Sequence, residues 1–479
     1  MNSTDRGILR MAVPAIVSNV TVPLLALVDV AIVGHLGAAV YIGAIAVGGM
    51  MFNVIYWIFN FLRMGTSGMT SQALGARRLQ ETVRMLARSL AVAMAVALVL
   101  LLAQRPLLHV GLWFMCGDDS GAGVTGVGPY AATYWNICIW GAPAMLGQYS
   151  LTGWLIGMQN SRTPMVVAIT QNIVNIMVSL LLVYGVGMKI EGVAAGTLIA
   201  QWFGFLLALT LIAVGYRRYI RRNASGVSEE GRSRQDRAGP GRCNGRDGSR
   251  PLLRFLSVNR DIFLRTICLV AVMSFFTSAG SRQGETTLAV NTLLMQFFLV
   301  FSYVMDGFAY AAEALSGKAY GAMLVSGQGE GAPGVGPYLC PSEPLLIVVR
   351  RLFVWGAGAA ALFTMVYLTM GKHFLGLLTD DATVVAAATA YLPWAIVLPV
   401  ASCGAFIWDG VFIGCTMSRG MLVTMAAAAA AFFVVWLALC STLNNHALWM
   451  AFIIYLAVRS VAQTLLFPRL IGLGRTRQG

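Results

Sequence analysis

Residues 153–167 read GWLIGMQNSRTPMVV, and residues 410–424 read GVFIGCTMSRGMLVT. Aligned without a gap, the two stretches share two glycines, an isoleucine, a Ser-Arg pair and a valine. A second pair of similar stretches lies earlier in each half of the chain, with QALGA at 72–76 and KAYGA at 318–322. These matched stretches predict a duplicated chain whose two halves form similar, parallel lobes.

The composition indicates that lipid surrounds the protein. Of the 479 residues, 58% are hydrophobic and only 11% are charged, whereas a soluble domain has about 25% charged residues. The net charge of +14 does not predict a nucleic-acid partner, because a nucleic-acid surface needs its basic residues on one face of a folded domain. Here the arginines lie mainly between apolar runs, where they set the orientation of membrane helices.

A membrane-spanning helix needs about 20 mostly apolar residues. Twelve such runs are present, at about 8–33, 40–72, 83–104, 129–157, 164–185, 192–216, 262–282, 286–317, 346–370, 384–415, 420–442 and 446–468. They predict an all-α integral membrane protein of twelve transmembrane helices in two six-helix pseudo-symmetric lobes. The predicted domains are an N-terminal lobe at 1–216, a basic cytoplasmic linker at 217–260 and a C-terminal lobe at 261–479.

The distribution of basic residues predicts that both termini are cytoplasmic. With the N-terminus inside, most of the 33 lysines and arginines fall in the inner segments, as the positive-inside rule requires. The stretch 217–260 is rich in Arg, Gly and Ser and is expected to be disordered. Its charges either set the topology or also attract anionic lipid headgroups. The segment 323–345 is expected to be a second flexible insert.

Ionisable side chains are costly inside a membrane, so each one in an apolar run is a functional candidate. Asp29 lies in the first run, which also contains Pro14 and Pro23. A carboxylate beside a helix that proline allows to bend suits a proton or sodium relay. The polar candidates of the second lobe are Asp306, Asp409, Arg282 and Arg459. Asp306 and Asp409 are either functional groups or structural partners of Arg459, Arg282 or Arg63. Glu313 is either functional or solvated near the cytoplasmic end of its helix.

Polar and aromatic residues in the other runs complete the candidate site. Asn175 and Ser179 are four residues apart and share one helix face; they either support Asp29 or join neighbouring helices by hydrogen bonds, and Thr197 belongs to the same group. The residues proposed to line a substrate cavity are Tyr56, Gln171, Asn172, Met295 and Phe298. No Walker A or HExxH motif is present, so we expect a transporter with no enzyme activity, no cofactor and no metal site beyond a weak sodium site.

Five segments resemble the multidrug and toxic compound extrusion (MATE) transporters, specifically the DinF-like branch. They are LVDVAIVGHLG at 27–37, FLRMGTSGMTSQALGA at 61–76, IWGAPA at 139–144, GVAAGTLIAQ at 192–201 and MDGFAYAAEALSGKAYGA at 305–322. The resemblance implies export of amphipathic, often cationic, small molecules in exchange for H⁺ or Na⁺, by a monomer in the bacterial inner membrane. It also implies that Asp29 is the cation-coupling aspartate and that Asn175 and Thr197 surround it.

Two departures from the family pattern favour protons over sodium. Some relatives have a carboxylate where this chain has Ser179, and some have a glutamate in the seventh helix that CLVAVMSFFTSAG at 268–280 lacks. A sodium site in the second lobe is therefore not expected, although Asp409 is present.

Two other functions remain as alternatives. A two-lobed flippase for a lipid-linked saccharide or another amphipathic lipid would need a cavity rich in Arg and Lys, and the spanning runs offer few such residues. A receptor or an intramembrane enzyme is the third alternative, although the duplicated lobes and the missing catalytic pair do not favour it.

Overall fold

The computed structural model describes residues 2–34, 39–116, 126–225, 250–326, 345–379 and 381–470, and those residues contain helices and no strand. In the first half the helices are α1 Ser3–Gly34, α2 Ala39–Phe59, α3 Phe61–Gly75, α4 Leu79–Leu102, α5 Gln104–Cys116, α6 Val127–Cys138, α7 Ala142–Gly157, α8 Arg162–Leu180, α9 Ile190–Gly215 and α10 Arg217–Ser225. In the second half they are α11 Arg250–Ser281, α12 Glu285–Ser326, α13 Leu345–Leu378, α14 Ala382–Gly414, α15 Ser418–Leu443 and α16 Asn445–Leu470.

Eleven helical segments of the described residues are long and apolar enough to cross a membrane. The remaining predicted run, 129–157, is also helical, but a 3₁₀ turn at Ile139–Gly141 divides it into α6 and α7. Neither piece alone reaches the length of a span, and together they form an interrupted helical run. The prediction of an all-α membrane protein with about twelve spans is confirmed.

The two segments predicted to be flexible are partly helical. Residues 217–225 form α10, and α11 begins at Arg250, so the expectation of disorder across 217–260 is wrong at both ends. Likewise α12 continues to Ser326 and α13 begins at Leu345. Residues 226–249 and 327–344 lie outside the described part of the chain. Local composition missed these ends because packing against neighbouring helices stabilises polar helical turns.

The chain divides into two compact units. The N unit consists of Val20–Arg254, and the C unit consists of Met1–Asn19 together with Phe255–Gly479. The N unit therefore begins at Val20 and extends to Arg254, whereas the predicted lobe begins at residue 1 and ends at residue 216. The first helix, α1, contributes to both units.

Specific contacts hold the first half of α1 within the C unit. The Asp5 carboxylate accepts a hydrogen bond from Trp355 Nε1 at 3.2 Å and lies 3.8 Å from Arg351 Nη1. Asn19 Nδ2 donates to the carbonyl oxygen of Tyr303 at 3.1 Å. Gly307 lies directly against α1, with no room for a Cβ beside Ile16. The first half of α1 therefore packs with helices from the second half of the chain, although it is far from them in sequence.

Each unit has its own apolar core. In the N unit, Phe52 stacks on Trp135 with ring centroids 4.5 Å apart, inside a cluster formed mainly by α2, α4, α6 and α9. In the C unit, Phe276, Trp449 and Phe452 are buried in a cluster formed mainly by α11, α12, α14 and α16. These cores fix the rotation of each helix, and thereby decide which polar side chains face one another.

Candidate functional site

A stripe of polar side chains follows one side of α8. Its members are Gln171, Asn172, Asn175 and Ser179. Asn175 follows Gln171 by four residues and Asn172 by three, and Ser179 follows Asn175 by four, which are the spacings that place side chains on one helical face. Pro164 lies in the first turn, where its missing N–H costs no helical hydrogen bond, and Asn160 Oδ1 accepts from the Thr163 N–H at 3.2 Å. These features stabilise the first turn of α8. The polar stripe faces α1, α7 and α9.

The middle of the stripe forms a directed hydrogen-bond chain. Ser179 Oγ donates to Asn175 Oδ1 at 3.4 Å, and Asn175 Nδ2 donates to Thr197 Oγ1 at 3.3 Å. Thr197 Oγ1 in turn donates to the carbonyl oxygen of Val193 at 3.0 Å. Asn175 and Ser179 are buried. The structure therefore brings together the three neutral residues that the sequence analysis had grouped, and it does so between α8 and α9.

The other end of the stripe contacts two further helices. Gln148 Nε2, on α7, donates to Gln171 Oε1 at 2.8 Å. Asn172 Nδ2 donates to Thr21 Oγ1, on α1, at 2.9 Å. These side chains are half-buried, and partners of this kind matter because an unpaired polar group away from water costs about 1–3 kcal/mol. Gln171 and Asn172 therefore join α8 to α7 and α1, and their predicted role in a substrate cavity stays a prediction.

Two hydrogen bonds fix the register of α1 against α8. Asn172 contacts Thr21, and farther along both helices Tyr184 OH donates to the carbonyl oxygen of Ile32 at 3.5 Å. Both partners advance in the same direction, so the two helices run parallel, with Asp29 between the two contact points on α1. By that register the backbone of Asp29 lies level with the stretch of α8 just after Ser179. The side chain of Asp29 lies outside the described residues.

The backbone of α8 changes geometry at this level. Residues Leu181–Gly185 form a π-helical turn, in which Val186 N donates to the carbonyl oxygen of Leu181 at 3.1 Å. Single π turns inside helices occur frequently at functional sites. This turn begins two residues after Ser179 and contains Tyr184, so the irregular backbone is next to the polar stripe.

Lys189, the residue before α9, lies outside the spans. Its Nζ lies 5.7 Å from the centroid of the Tyr41 ring, and the hydrogen bond to Tyr41 raises the pKa of Lys189. The lysine therefore stays charged at this end of the N unit.

A second polar cluster lies inside the C unit. Asp409, on α14, accepts hydrogen bonds at Oδ2 from Arg265 on α11 and from Arg459 on α16. Gln463 Nε2 donates to Asp409 Oδ1 at 2.9 Å. All four side chains are buried. Because the carboxylate is bonded on both oxygens, this arrangement is an ion-pair network that joins three helices.

The remaining charged candidates take different positions. Arg282 is exposed beyond the end of α11 and is not part of the Asp409 cluster. Asp306, half-buried on α12, lies within electrostatic range of Arg265. In the N unit, Arg63 Nε donates to Asn60 Oδ1 at 3.0 Å and is buried. Glu313 is buried on α12, rather than solvated at the helix end.

The aromatic and methionine candidates belong to the apolar cores. Tyr56 is buried against Phe52 in the N unit. Phe298 packs on Phe452 in the C unit with ring centroids 5.3 Å apart, and Met295 contacts the same core. In this conformation these side chains stabilise packing, and a role in substrate contact stays a prediction.

Several partners were missed by reasoning from sequence. Arg265, Gln148, Thr21 and Gln463 are not among the candidates that the sequence indicates. Gln463 could have been found, because it follows Arg459 by four residues and therefore shares its face. The described residues contain no group of three His, Cys, Asp or Glu side chains able to hold a metal ion.

Comparisons with known proteins agree with this architecture. The MatE family model matches residues 14–181. The "DNA damage-inducible protein F" of Escherichia coli is 34% identical over 469 residues, which cover 98% of this chain and 93% of that protein. "Protein DETOXIFICATION 44, chloroplastic" of Arabidopsis thaliana is 23% identical, over 95% of this chain and 80% of that protein.

A solved structure shares the fold. It is an outward-facing conformation of a multidrug resistance MATE family transporter, with a TM-score of 0.79, 17% identity and coverage of 100% of this chain and 98% of that chain. At that identity the likeness shows the fold alone, whereas the E. coli relative shows the family. The chain is therefore a multi-pass membrane transporter, not an enzyme, and belongs to the MatE family of multidrug and toxic compound extrusion proteins.

Proposed function

We propose that this transporter exports amphipathic, cationic small molecules in exchange for protons, across a bacterial inner membrane and with both termini in the cytoplasm. The observation that carries the proposal is the polar stripe of α8 and its register against α1. The stripe residue Asn172 bonds Thr21, and Tyr184 in the following π turn bonds the Ile32 carbonyl, so Asp29 lies between the two contact points along α1. Neutral hydrogen-bonding groups thus lie level with the one carboxylate of that helix segment.

The chemistry of the neighbours supports a proton as the coupling ion. The residues grouped around this level are an amide and two hydroxyls, Asn175, Ser179 and Thr197, all engaged with one another or with backbone. They add no second carboxylate to Asp29. An isolated carboxylate in hydrocarbon is costly when ionised, and taking up a proton removes that cost.

The structure of α1 offers a way to couple protonation to shape. Proline at position 23 has no N–H, so the carbonyl of Asn19, four residues earlier, lacks its helical hydrogen bond. The boundary between the C unit and the N unit falls between Asn19 and Val20. We propose that protonation of Asp29 bends α1 at this weak point, and that alternating access follows from the bend.

The arginines of the C unit do not favour the flippase alternative. A lipid diphosphate would require basic groups that are available for it, whereas Arg265 and Arg459 both bind Asp409. The C unit is therefore proposed to provide a stable second lobe, with no separate cation site at Asp409.

The decisive experiment is transport by the full chain in liposomes with imposed gradients. A fluorescent amphipathic cation serves as substrate, under a proton gradient alone or a sodium gradient alone. We expect proton-driven transport by the wild type and its loss in Asp29→Asn. The control is Asp381→Asn, which changes an exposed carboxylate outside the spans. Full proton-driven transport by Asp29→Asn, or transport under the sodium gradient alone, would contradict the proposal.

A further inference from the structure

The short helix α10 is amphipathic and is docked onto the N unit by its aromatic side. It begins two residues after α9 ends at Gly215. Tyr219 OH lies 2.8 Å from Thr82 Oγ1 on α4, and Asn160 Nδ2 donates to Tyr216 OH at 3.2 Å. Tyr216, Tyr219 and Ile220 all pack against an apolar cluster of the N unit. The helix therefore has a defined position on the protein.

One tryptophan connects these contacts. Trp154 Nε1 donates to the backbone carbonyl of Thr82 at 2.8 Å, and its ring meets the Tyr216 ring edge-on with centroids 5.0 Å apart. Trp154 is completely buried. The start of α4, the turn before α8 and the start of α10 are thus fixed at the same end of the N unit.

This end of the N unit is strongly basic. Its arginines come from four segments that the tyrosine contacts bring together, namely Arg77, Arg78, Arg84, Arg88, Arg162, Arg217, Arg218 and Arg221. In α10, the side chains of Arg217, Arg218 and Arg221 are exposed. Among the described residues of this end, the acidic side chain is Glu81, which lies 3.7 Å from Arg78. The surface therefore has a large excess of positive charge.

The position of this surface points to lipid headgroups. α9 has 26 residues, about 39 Å at 1.5 Å per residue, which exceeds the roughly 30 Å of hydrocarbon in a bilayer. Its last turn therefore reaches the headgroup layer, where α10 begins. A helix with an apolar side and an arginine side is suited to that layer, and basic residues there attract anionic headgroups.

We propose that α10 and the adjoining arginines form a binding surface for anionic phospholipid headgroups. The partner is a lipid, because the charges of this surface lie beside the end of a spanning helix and therefore in the headgroup layer. Occupancy of the surface would hold α10 along the membrane and stabilise the N unit.

The test compares the thermal unfolding midpoint of the purified full chain with added phosphatidylglycerol or phosphatidylcholine. Phosphatidylglycerol is expected to raise the midpoint more than phosphatidylcholine, and added salt to reduce the difference. The triple variant Arg217→Gln/Arg218→Gln/Arg221→Gln is expected to lose most of this difference. The control Arg105→Gln/Arg282→Gln/Lys372→Gln removes the same charge from exposed residues that do not belong to α10 or to the adjoining arginines, and should keep the difference.

Two further measurements keep the test decisive. The variant Arg217→Lys/Arg218→Lys/Arg221→Lys retains the charge and should retain the lipid preference, even if the glutamine variant folds poorly. Inorganic phosphate should not reproduce the effect. The proposal is overturned if the wild type does not distinguish the two lipids, if phosphate acts equally well, if the lysine variant loses the preference, or if both glutamine variants lose it to the same extent.

Discussion

The hydroxyl oxygen of Ser179 on α8 occupies the place where a Cβ atom on Gly196 of α9 would stand. The absence of that Cβ lets the two helices approach closely enough for Asn175 to reach Thr197, the residue after Gly196. A glycine thus determines the spacing of the hydrogen-bond chain that we assign to coupling.

Replacing this glycine should disturb both stability and transport. Gly196→Ala forces the Ser179 hydroxyl aside, and overpacking of this kind costs about 1–3 kcal/mol. We expect a lower unfolding midpoint and slower proton-driven uptake in liposomes. Ser179→Ala in the Gly196→Ala background should restore part of the midpoint. The control is Gly49→Ala, because a Cβ there would meet no atom within 4 Å; equal effects at the two glycines would refute the argument.

The hydrogen-bond chain can be tested with two threonines of one helix. Thr197 and Thr210 each donate a hydrogen bond to the carbonyl four residues earlier in α9, at 3.0 and 2.7 Å. Thr197 also accepts a hydrogen bond from Asn175. Thr197→Val leaves the buried Asn175 amide short of an acceptor, at a cost of about 1–3 kcal/mol. We expect Thr197→Val to shift the pH dependence of transport and Thr210→Val to leave it unchanged. Identical pH profiles for both variants would remove Thr197 from the coupling group.

The network in the C unit should be sensitive to loss of its carboxylate. Asp409→Asn leaves Arg265 and Arg459 buried without the charge that both contact. Breaking a buried pair in this way costs about 3–5 kcal/mol, measurable as a lower unfolding midpoint and more aggregated protein on gel filtration. Asp409→Asn/Arg459→Gln should recover part of the loss because it restores the balance of charge. A double variant as unstable as the sum of its single changes would show that the two residues do not act together.

The duplicated glycines should be equivalent in the two units. A Cβ on Gly153 would collide with the backbone carbonyl of Arg63, and a Cβ on Gly410 would collide with that of Ala309. Gly153→Ala and Gly410→Ala should each reduce the free energy of unfolding by about 1–3 kcal/mol through overpacking, and thereby lower the unfolding midpoint. Gly358→Ala meets open space and should raise it slightly through helix propensity. A neutral effect at either buried glycine would contradict the equivalence of the repeats.

The first turn of α14 provides a pH-dependent contribution outside the membrane spans. Hydrogen bonds from Thr383 and from the Val384 N–H lower the pKa of the Asp381 carboxyl. A lowered pKa in the folded state means that this stabilisation is present above the ordinary aspartate pKa and is lost as the pH falls through the lowered value. The midpoint difference between wild type and Asp381→Ala should therefore be greatest near neutral pH and shrink in acid. A midpoint difference that grows as the pH falls would contradict the lowered pKa of Asp381.

Much of the architecture was predictable because it depends on local periodicity. An apolar run long enough to cross the hydrocarbon core as a helix predicts a span without knowledge of its packing partners. The matched stretches around Gly153 and Gly410 reveal the duplication. The stripe on α8 was likewise visible from the spacing of Asn175 and Ser179. The interruption at Ile139–Gly141 has a local signal in Gly141 and Pro143, because proline begins a helix more readily than it continues one. The apolar length of the run alone does not show it.

By itself, the sequence determined that this chain is a two-lobed membrane transporter, and that Asp29 and the α8 stripe are its polar candidates. Only the tertiary structure decided that Asp409 binds Arg265 and Arg459 rather than Arg282 or Arg63, and that the start of α1 packs with the second half. The physical reason is the range of the determining forces. Helical periodicity is set by residues a few positions apart, whereas the partner of a buried charge depends on the depth and rotation of distant helices, which the packing of whole cores fixes.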